Sequence, residues 1–420
     1  MSFSSSPPPL AWVPAWLPWA IAAAVGYHLL VRTLHHLHAR RMRARYPYGP
    51  GQELPYSAMT DRDAQELVAL VQQYEFPSVA ELALQSALVR TYGVPSISAL
   101  LLCTRQLSTR AQVARRYADT AALVSEIYTN EAGSRRLAES YARLNYLHGV
   151  YIKAGRITND YMLYVLALFM NQPVDHIDRL DWRPVSDLER CAYGAFHRTM
   201  AASMNIDLSP LPSATAGWRD GLHFYDELDG WARAYEERNM VPHDDNLAVA
   251  AHTRELYLRD FPPFLRGLGA NLLAASMDER FRTAIKFDRP SAAHYSIVAA
   301  VFAAKRFVCR HLLPPRRTAY LYHARLASHG DVRADGTRGF VTWTGSPYYV
   351  RPTLWNRWGP YAWLAWSVGV PLPGDEGMMP EGYTLKDVGP DQFRGKGWDE
   401  AERTAQELVE ARSPGRCPFA

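Results

Sequence analysis

The fold turns on residues 141–169, YARLNYLHGVYIKAGRITNDYMLYVLALF, where a polar helical pattern gives way to an apolar one. In a helix, Tyr141, Asn145 and His148 fall at i, i+4 and i+7, so a phenol, an amide and an imidazole share one face between Leu144 and Leu147. Polar groups among apolar ones are costly unless they are hydrogen-bonded or used. Two readings follow: a core helix pair with one satisfied histidine, or a reactive site. Ala154 and Gly155 end the first helix, Thr158 caps the second with Asp160 in its first turn, and Tyr161 to Met170 carries no charge. The second helix is therefore expected to be buried on nearly every side.

Outward from this pair the chain reads as helix after helix. Thr60 precedes an acidic first turn, Ser78 with Glu81 and Ser186 with Glu189 read as capping boxes, and Gly93-Val94-Pro95 breaks one helix before another. Helical spacing recurs over Ser108 to Asn130, Arg219 to Asn239, Asn246 to Leu258 and Pro262 to Ala284, with no βαβ alternation and no repeat period. Strand signals flank Thr344-Gly345-Ser346-Pro347, at Gly339 to Trp343 and Tyr348 to Val350, and allow at most a small β-hairpin. The expected fold is all-α: one large helical bundle with an N-terminal membrane anchor.

The anchor is the clearest physical signal. Met1 to Val31 contains no Asp, Glu, Lys or Arg, and the apolar run from Leu10 is long enough to cross a bilayer core of ~30 Å. Trp12, Trp16 and Trp19 lie towards one end as an interfacial belt would, and Arg32, Arg40, Arg41, Arg43 and Arg45 follow the other, with no acid before Glu53. The order of charge and apolar run is opposite to that of a cleaved signal peptide. The basic end predicts a single-pass protein with its body in the cytosol. Pro14 and Pro18 leave an interfacial helix, or a shorter span from Pro18, as the competing reading. His35, His36 and His38 in the basic flank are expected to meet lipid head groups, and His243 to sit in a loop.

Composition removes several classes. With 420 residues and 48% hydrophobic residues, the chain can bury a large core. The arginines beyond residue 52 are interspersed with acids, which excludes a nucleic-acid surface. Cys103, Cys191, Cys309 and Cys417 lie far apart with no CxxC, as reduced thiols rather than a zinc knuckle or disulfide framework. No GxGxxG after a strand, GxxxxGK[ST], GxSxG or HExxH occurs, so dehydrogenases, P-loop enzymes, α/β-hydrolases and zincins lose their usual support. Ile297 to Ala304 and the Trp-rich Tyr361 to Leu372 are too short to span and read as core or membrane-surface patches. Trp355, Trp358, Trp363 and Trp366 would alternatively line a channel for a greasy substrate.

A second polar constellation lies at Arg219, Asp220, His223, Asp226 and Glu227. On a helix, Asp220, His223 and Glu227 stand at i, i+3 and i+7. Joined by His148 they would make two imidazoles and a carboxylate, the facial set of non-haem Fe(II) oxygenases. The bland alternative is a solvated face of helix salt bridges.

The stretch RLNYLHGVYIKAGRITNDYMLYVLALF resembles the signature of the fungal membrane-bound oxygenase family typified by the ER oxygenase of mycophenolic acid biosynthesis, the mpaB-like family, which is grouped with bacterial rubber oxygenases. Further stretches resemble it in the same order: ALVRTYGVPSISALL from Ala87, SEIYTNEAGS from Ser125, GWRDGLHFYDELDGWARAYEERNMVP from Gly217 and PYYVRPTLWNRWGPYAWLAWSVGVPLPGDEG from Pro347. Arg143 and His148 match the R-x-x-x-x-H element of the family, and Asp220 and His223 its RDGLH element. The resemblance implies an ER-membrane oxygenase of secondary metabolism that uses dioxygen at a carbon-carbon double bond of a hydrophobic, isoprenoid or terpenoid small molecule. It implies iron, either as haem b hung from His148 or His223 or as non-haem Fe, for which the helix spacing above adds Glu227 to His148 and His223, with Arg143 and Asp220 as further catalytic groups and Arg143 set against an oxygen anion or a haem propionate. The rubber oxygenases carry their axial histidine in a stretch resembling LLWVHATL; here MLYVLALF puts Leu166 at that position. That departure keeps open a catalytically inactive, membrane-anchored ligand-binding or scaffold protein of the same fold. The expected organisation is a disordered N-terminus over 1–9, a transmembrane helix over 10–32, a basic juxtamembrane linker over 33–58, the catalytic domain over 59–390 and a C-terminal helix and tail over 391–420.

Overall fold

The computed structural model describes residues 14, 16–104, 110–259, 261–315, 330, 332–341, 343, 346–411 and 415–419. The expected disordered segment 1–9 and the first residues of the expected span lie outside them. Sixteen α-helices and no strand occur among the described residues. In place of a hairpin, Phe340 meets Val350 in one isolated parallel bridge, and Thr342, Thr344 and Gly345 lie outside the described residues.

Helix α1 (Leu17–Arg45) carries the anchor and continues through half of the expected linker. Ile21, Val25, Leu29 and Leu30 are exposed, whereas Val31 is 1% exposed, so the helix changes from bare to docked within a turn. His38 Nε2 lies 3.2 Å from Glu75, and the His35 ring packs at 4.4 Å from Trp182. The structure therefore places these two histidines against the protein body rather than among lipid head groups, because apolar and acidic partners already cover them.

Helices α2 (Asp61–Leu70), α3 (Pro77–Arg90), α4 (Pro95–Cys103), α5 (Arg110–Thr129), α6 (Arg135–Lys153), α7 (Asn159–Leu180), α8 (Asp187–Ser203), α9 (Gly221–Asn239) and α10 (Asp244–Tyr257) form the main bundle. Thr60, Ser134, Thr158 and Ser186 cap α2, α6, α7 and α8 through their side chains, and Ser186 with Glu189 closes a full capping box. Ser78 does not cap: Pro77 opens α3 one residue earlier, after Phe76, and takes the first-turn position that needs no N–H donor. The Gly93-Val94-Pro95 break turns the chain by 97° between α3 and α4. Helix α7 is buried along most of its length, with Leu163, Tyr164, Ala167, Leu168 and Met170 wholly inside.

Helices α8 and α9 cross with their backbones in contact. A Cβ on Gly194 would stand 1.8 Å from the Gly221 carbonyl oxygen, and one on Gly221 would stand 2.1 Å from that of Cys191. Part of the RDGLH element thus serves packing.

Beyond α10 come α11 (Arg266–Ser276), α12 (Glu279–Ala284) and α13 (Ala292–His311), then α14 (Leu354–Trp358) and α15 (Pro360–Ser367). Trp355, Trp358, Trp363 and Trp366 on the last two are 58–76% exposed, so this segment is a surface patch rather than part of the core, and none of the four lines either of the two spaces described below. The final helix, α16 (Trp398–Ala411), packs on α6 with Ala405 fully buried against Ala138 and Ala142. Gly221→Ala is expected to lower stability by at least about 2 kcal/mol through the forced separation of α8 and α9, read as a drop in thermal midpoint, whereas Gly230→Ala, with open space around it, leaves the midpoint unchanged or raised.

Candidate active site

Helices α5, α6, α7 and α10 enclose a cavity of about 230 Å³, closed on one side by Pro390 and Phe393 of the C-terminal segment. His148 from α6 and Leu166 from α7 both line it. The wall is otherwise mostly apolar, with tyrosine and threonine hydroxyls and one guanidinium, Arg116 of α5; no carboxylate lines it among the described residues. His148 is half-buried and lines the cavity, and its Nδ1 is buried with no hydrogen-bond partner. Burial, helped by the charge of Arg116, lowers its pKa to about 4, so the ring is neutral at pH 7 with a lone pair to offer.

The other expected site residues are elsewhere. Arg143 is 1% exposed and donates to the carbonyls of Val388 at 3.0 Å, Lys396 at 3.0 Å and Phe393 at 3.2 Å. Its guanidinium is committed to holding the C-terminal segment on α6 and is absent from the cavity lining, so it clamps backbone rather than facing a propionate or oxygen anion. Asp220 caps α9 by accepting from the His223 amide at 2.9 Å. His223 Nδ1 accepts from the Arg219 amide at 3.3 Å, which leaves Nε2 to face Glu227 at 3.0 Å. Glu227 in turn accepts from Trp218 Nε1 at 2.8 Å, from the Ser213 amide at 3.1 Å and from the Ser213 hydroxyl. Neither His223 nor Glu227 lines the cavity, and among the described residues no group of three His, Cys, Asp or Glu side chains converges on a metal position. The facial set of His148, His223 and Glu227 is not assembled, because the last two satisfy each other and the loop before α9.

Sequence reasoning missed two groups. Arg116 sits in a run of ordinary charged helix, and only the bundle turns it inward while Arg115 goes to Asp391. His197 on α8 is fully buried, bonded to Tyr128 Oη at 2.9 Å and to the Tyr193 carbonyl at 2.8 Å; it is the satisfied core histidine that His148 is not.

A larger cleft of about 1190 Å³ adjoins the cavity between α3, α7, α9, α11 and α13. Val89, Thr253 and Tyr257 line both spaces.

Against known proteins, the chain is 38% identical over 406 residues to the ER-bound oxygenase mpaB' of Penicillium brevicompactum, covering 96% of this chain and 95% of that one. The chain belongs to the ER-bound oxygenase mpaB family. It is also 34% identical over 376 residues to mpaB of the same organism, covering 89% of this chain and 88% of that one. With mpaB of Penicillium roqueforti (strain FM164) it shares 37% over 275 residues, 66% of this chain and 92% of that one. No family model matches the chain. Family membership makes this an oxygenase, and the exposed apolar first half of α1 agrees with an ER-bound relative.

Whether the residues fit iron is decided at His148. One unpartnered imidazole nitrogen in a carboxylate-free wall fits iron that needs a single protein ligand, as in haem, and does not fit a two-histidine, one-carboxylate set. The neutral ring also carries a pH signature. Its folded pKa of about 4 lies below the unfolded value of about 6.5, so the unfolded chain binds more protons between them and stability falls as pH drops through that window. His148→Gln is expected to flatten the fall in thermal midpoint between about pH 6.5 and about pH 4, leaving the slope contributed by His176 and His197, whose burial likewise lowers them to about 4.

Proposed function

We propose that the protein is a membrane-anchored oxygenase that oxidises or cleaves a carbon-carbon double bond of an apolar, isoprenoid or terpenoid chain, with iron held by His148 in the α5–α6–α7–α10 cavity. The observation that carries this reading is the buried, neutral and unpartnered Nδ1 of His148 in an otherwise apolar wall. Iron bound there would supply dioxygen activation. His148 offers a neutral nitrogen at pH 7. Arg116 supplies the cavity's positive charge, suited to a haem propionate or to negative charge developing on oxygen, where a low dielectric makes it effective. The leucines, Val165 and Phe169 hold a hydrocarbon chain and exclude water. The cavity alone is smaller than the roughly 300–1,000 Å³ of typical ligand pockets, so a flat cofactor and a substrate together need part of the adjoining cleft.

Leu166 favours a second reading, a ligand-binding protein of the same fold without metal, since it occupies the cavity wall where the resemblance puts the rubber oxygenases' axial histidine. Ultraviolet-visible absorption and iron analysis of the detergent-purified protein separate the two. The account expects stoichiometric iron with a Soret band, lost in His148→Ala and retained in His223→Ala; neither iron nor absorption in wild type supports the binder. Leu166→His, which adds a second imidazole to the same wall, is expected to shift the Soret band, and an unchanged spectrum argues against haem in this cavity.

The basic flank of α1, with Arg40, Arg41, Arg43 and Arg45 after the apolar run and no charge before it, supports a cytosolic body. Protease added to intact microsomes is expected to digest everything beyond residue 45, and full protection would reverse the orientation.

A further inference from the structure

We propose that α13 is a second, monotopic membrane contact, lying in the bilayer surface beside the point where α1 leaves it and roofing the cleft that leads to the His148 cavity. Helix α13 is 20 residues long, apolar enough to cross a membrane, and has no buried residue. Its outward stripe, Ile297, Val301 and Val308 with Phe307 beside it, is 38–60% exposed at helical spacing. A contiguous apolar face of this kind on a folded protein marks a contact surface. Its charges do not spoil it: Lys305 Nζ reaches inward to Asp181 at 2.8 Å, and Arg306 donates to the Arg179 carbonyl.

The covering partner is fixed by continuity with α1. Tyr27 Oη donates to the Leu312 carbonyl at 2.6 Å, the His35 ring reaches the Leu313 carbonyl at 3.1 Å, and the His28 and His311 rings lie 5.0 Å apart. The end of α13 is thus seated at the level where α1 passes from bare to docked, and the helix runs from the lipid-water boundary of the anchor. Arg310 and His311 at that end sit where anionic head groups would meet them.

Crossing is excluded by the chain on either side. Before α13, Asp278 pairs with Arg90 and Asn246 reaches the Gly93 carbonyl at 3.1 Å; after it, Arg338 pairs with Glu126 at 3.1 Å and Tyr349 donates to Asp119 at 2.5 Å. Both flanks belong to one packed body on one side of the bilayer. A helix of this length whose two ends must stay on that side lies along the surface, with its apolar face in the interfacial layer.

Beneath it, Val298 and Phe302 line the cleft of about 1190 Å³ that meets the inner cavity at Val89, Thr253 and Tyr257. An apolar molecule dissolved in the bilayer would reach His148 under α13 without crossing water. That route rests on the function proposed above; the lipid contact does not.

Because α1 holds the protein on the membrane in any case, the test reads depth. A bimane label is placed on Val301→Cys, or on Ile297→Cys as a second position, in the full chain with Cys103, Cys309 and Cys417 replaced by serine. The protein is reconstituted in phosphatidylcholine and phosphatidylserine vesicles with tail-brominated lipid. Both labels are expected to be quenched several-fold more by the brominated tails than a control label on Glu407→Cys of α16, and to be insensitive to aqueous iodide. Quenching by iodide equal to the control, or shielding from both quenchers as a second copy would give, overturns the proposal. Either result is independent of iron content, so it is separable from failure of the enzymatic reading.

Discussion

Glu126 has no exposed surface and is nevertheless charged, and the molecule is arranged to make that possible. It accepts from Arg136 at 2.8 and 2.6 Å, from Arg338 at 3.1 Å, from Tyr383 Oη at 2.8 Å and from Asn130 at 2.7 Å. Burial alone would push its pKa up; the bond from Arg136 and the charge of Arg338 outweigh it and bring it to about 2. A buried charge pair of this kind is poor evidence for net stability, but removing one partner strands the others. Its value here is positional. Together with Arg143, which holds the Val388, Phe393 and Lys396 carbonyls, it fixes the returning C-terminal segment on α5 and α6. That return sets Pro390 and Phe393 against the cavity.

The helical architecture was legible because its signals are local. Thr60, Ser134, Thr158 and Ser186 cap their helices by side chains that need only a neighbouring amide, and the uncharged run from Tyr161 to Met170 can only be buried. The site was legible at His148 alone. Arg143 and His148 are five residues apart, roughly 500° around a helix, which leaves them on different flanks. One consequently faces the C-terminal backbone and the other the cavity. Asp220, His223 and Glu227 do share a face, but spacing cannot say that Asp220 caps its helix and that Ser213, Trp218 and Arg219 use up the other two. Arg116 and the Val89, Thr253 and Tyr257 junction depend on contacts between distant helices, to which no local pattern points.

Few polar residues of the stretches singled out in the sequence are free for chemistry. The RDGLH stretch owes its glycine to the α8–α9 crossing and its aspartate to a cap, and Arg143 of the R-x-x-x-x-H stretch is a clamp. His148 remains as the polar group in these stretches that faces an internal space and has an unused nitrogen. The wall around it holds no carboxylate among the described residues and one guanidinium, so a bound iron would take its protein ligation from a neutral imidazole, and Arg116 would offset negative charge on a haem propionate or on oxygen rather than the charge of the iron.

The most direct test of that claim is electron-nuclear double resonance on the iron of the full-length protein grown with ¹⁵N-histidine. The account predicts one histidine nitrogen coupled to the iron, lost in His148→Gly and replaced by a ¹⁴N coupling when unlabelled imidazole is added. A ¹⁵N coupling that survives in His148→Gly would place the iron on another histidine and contradict the account.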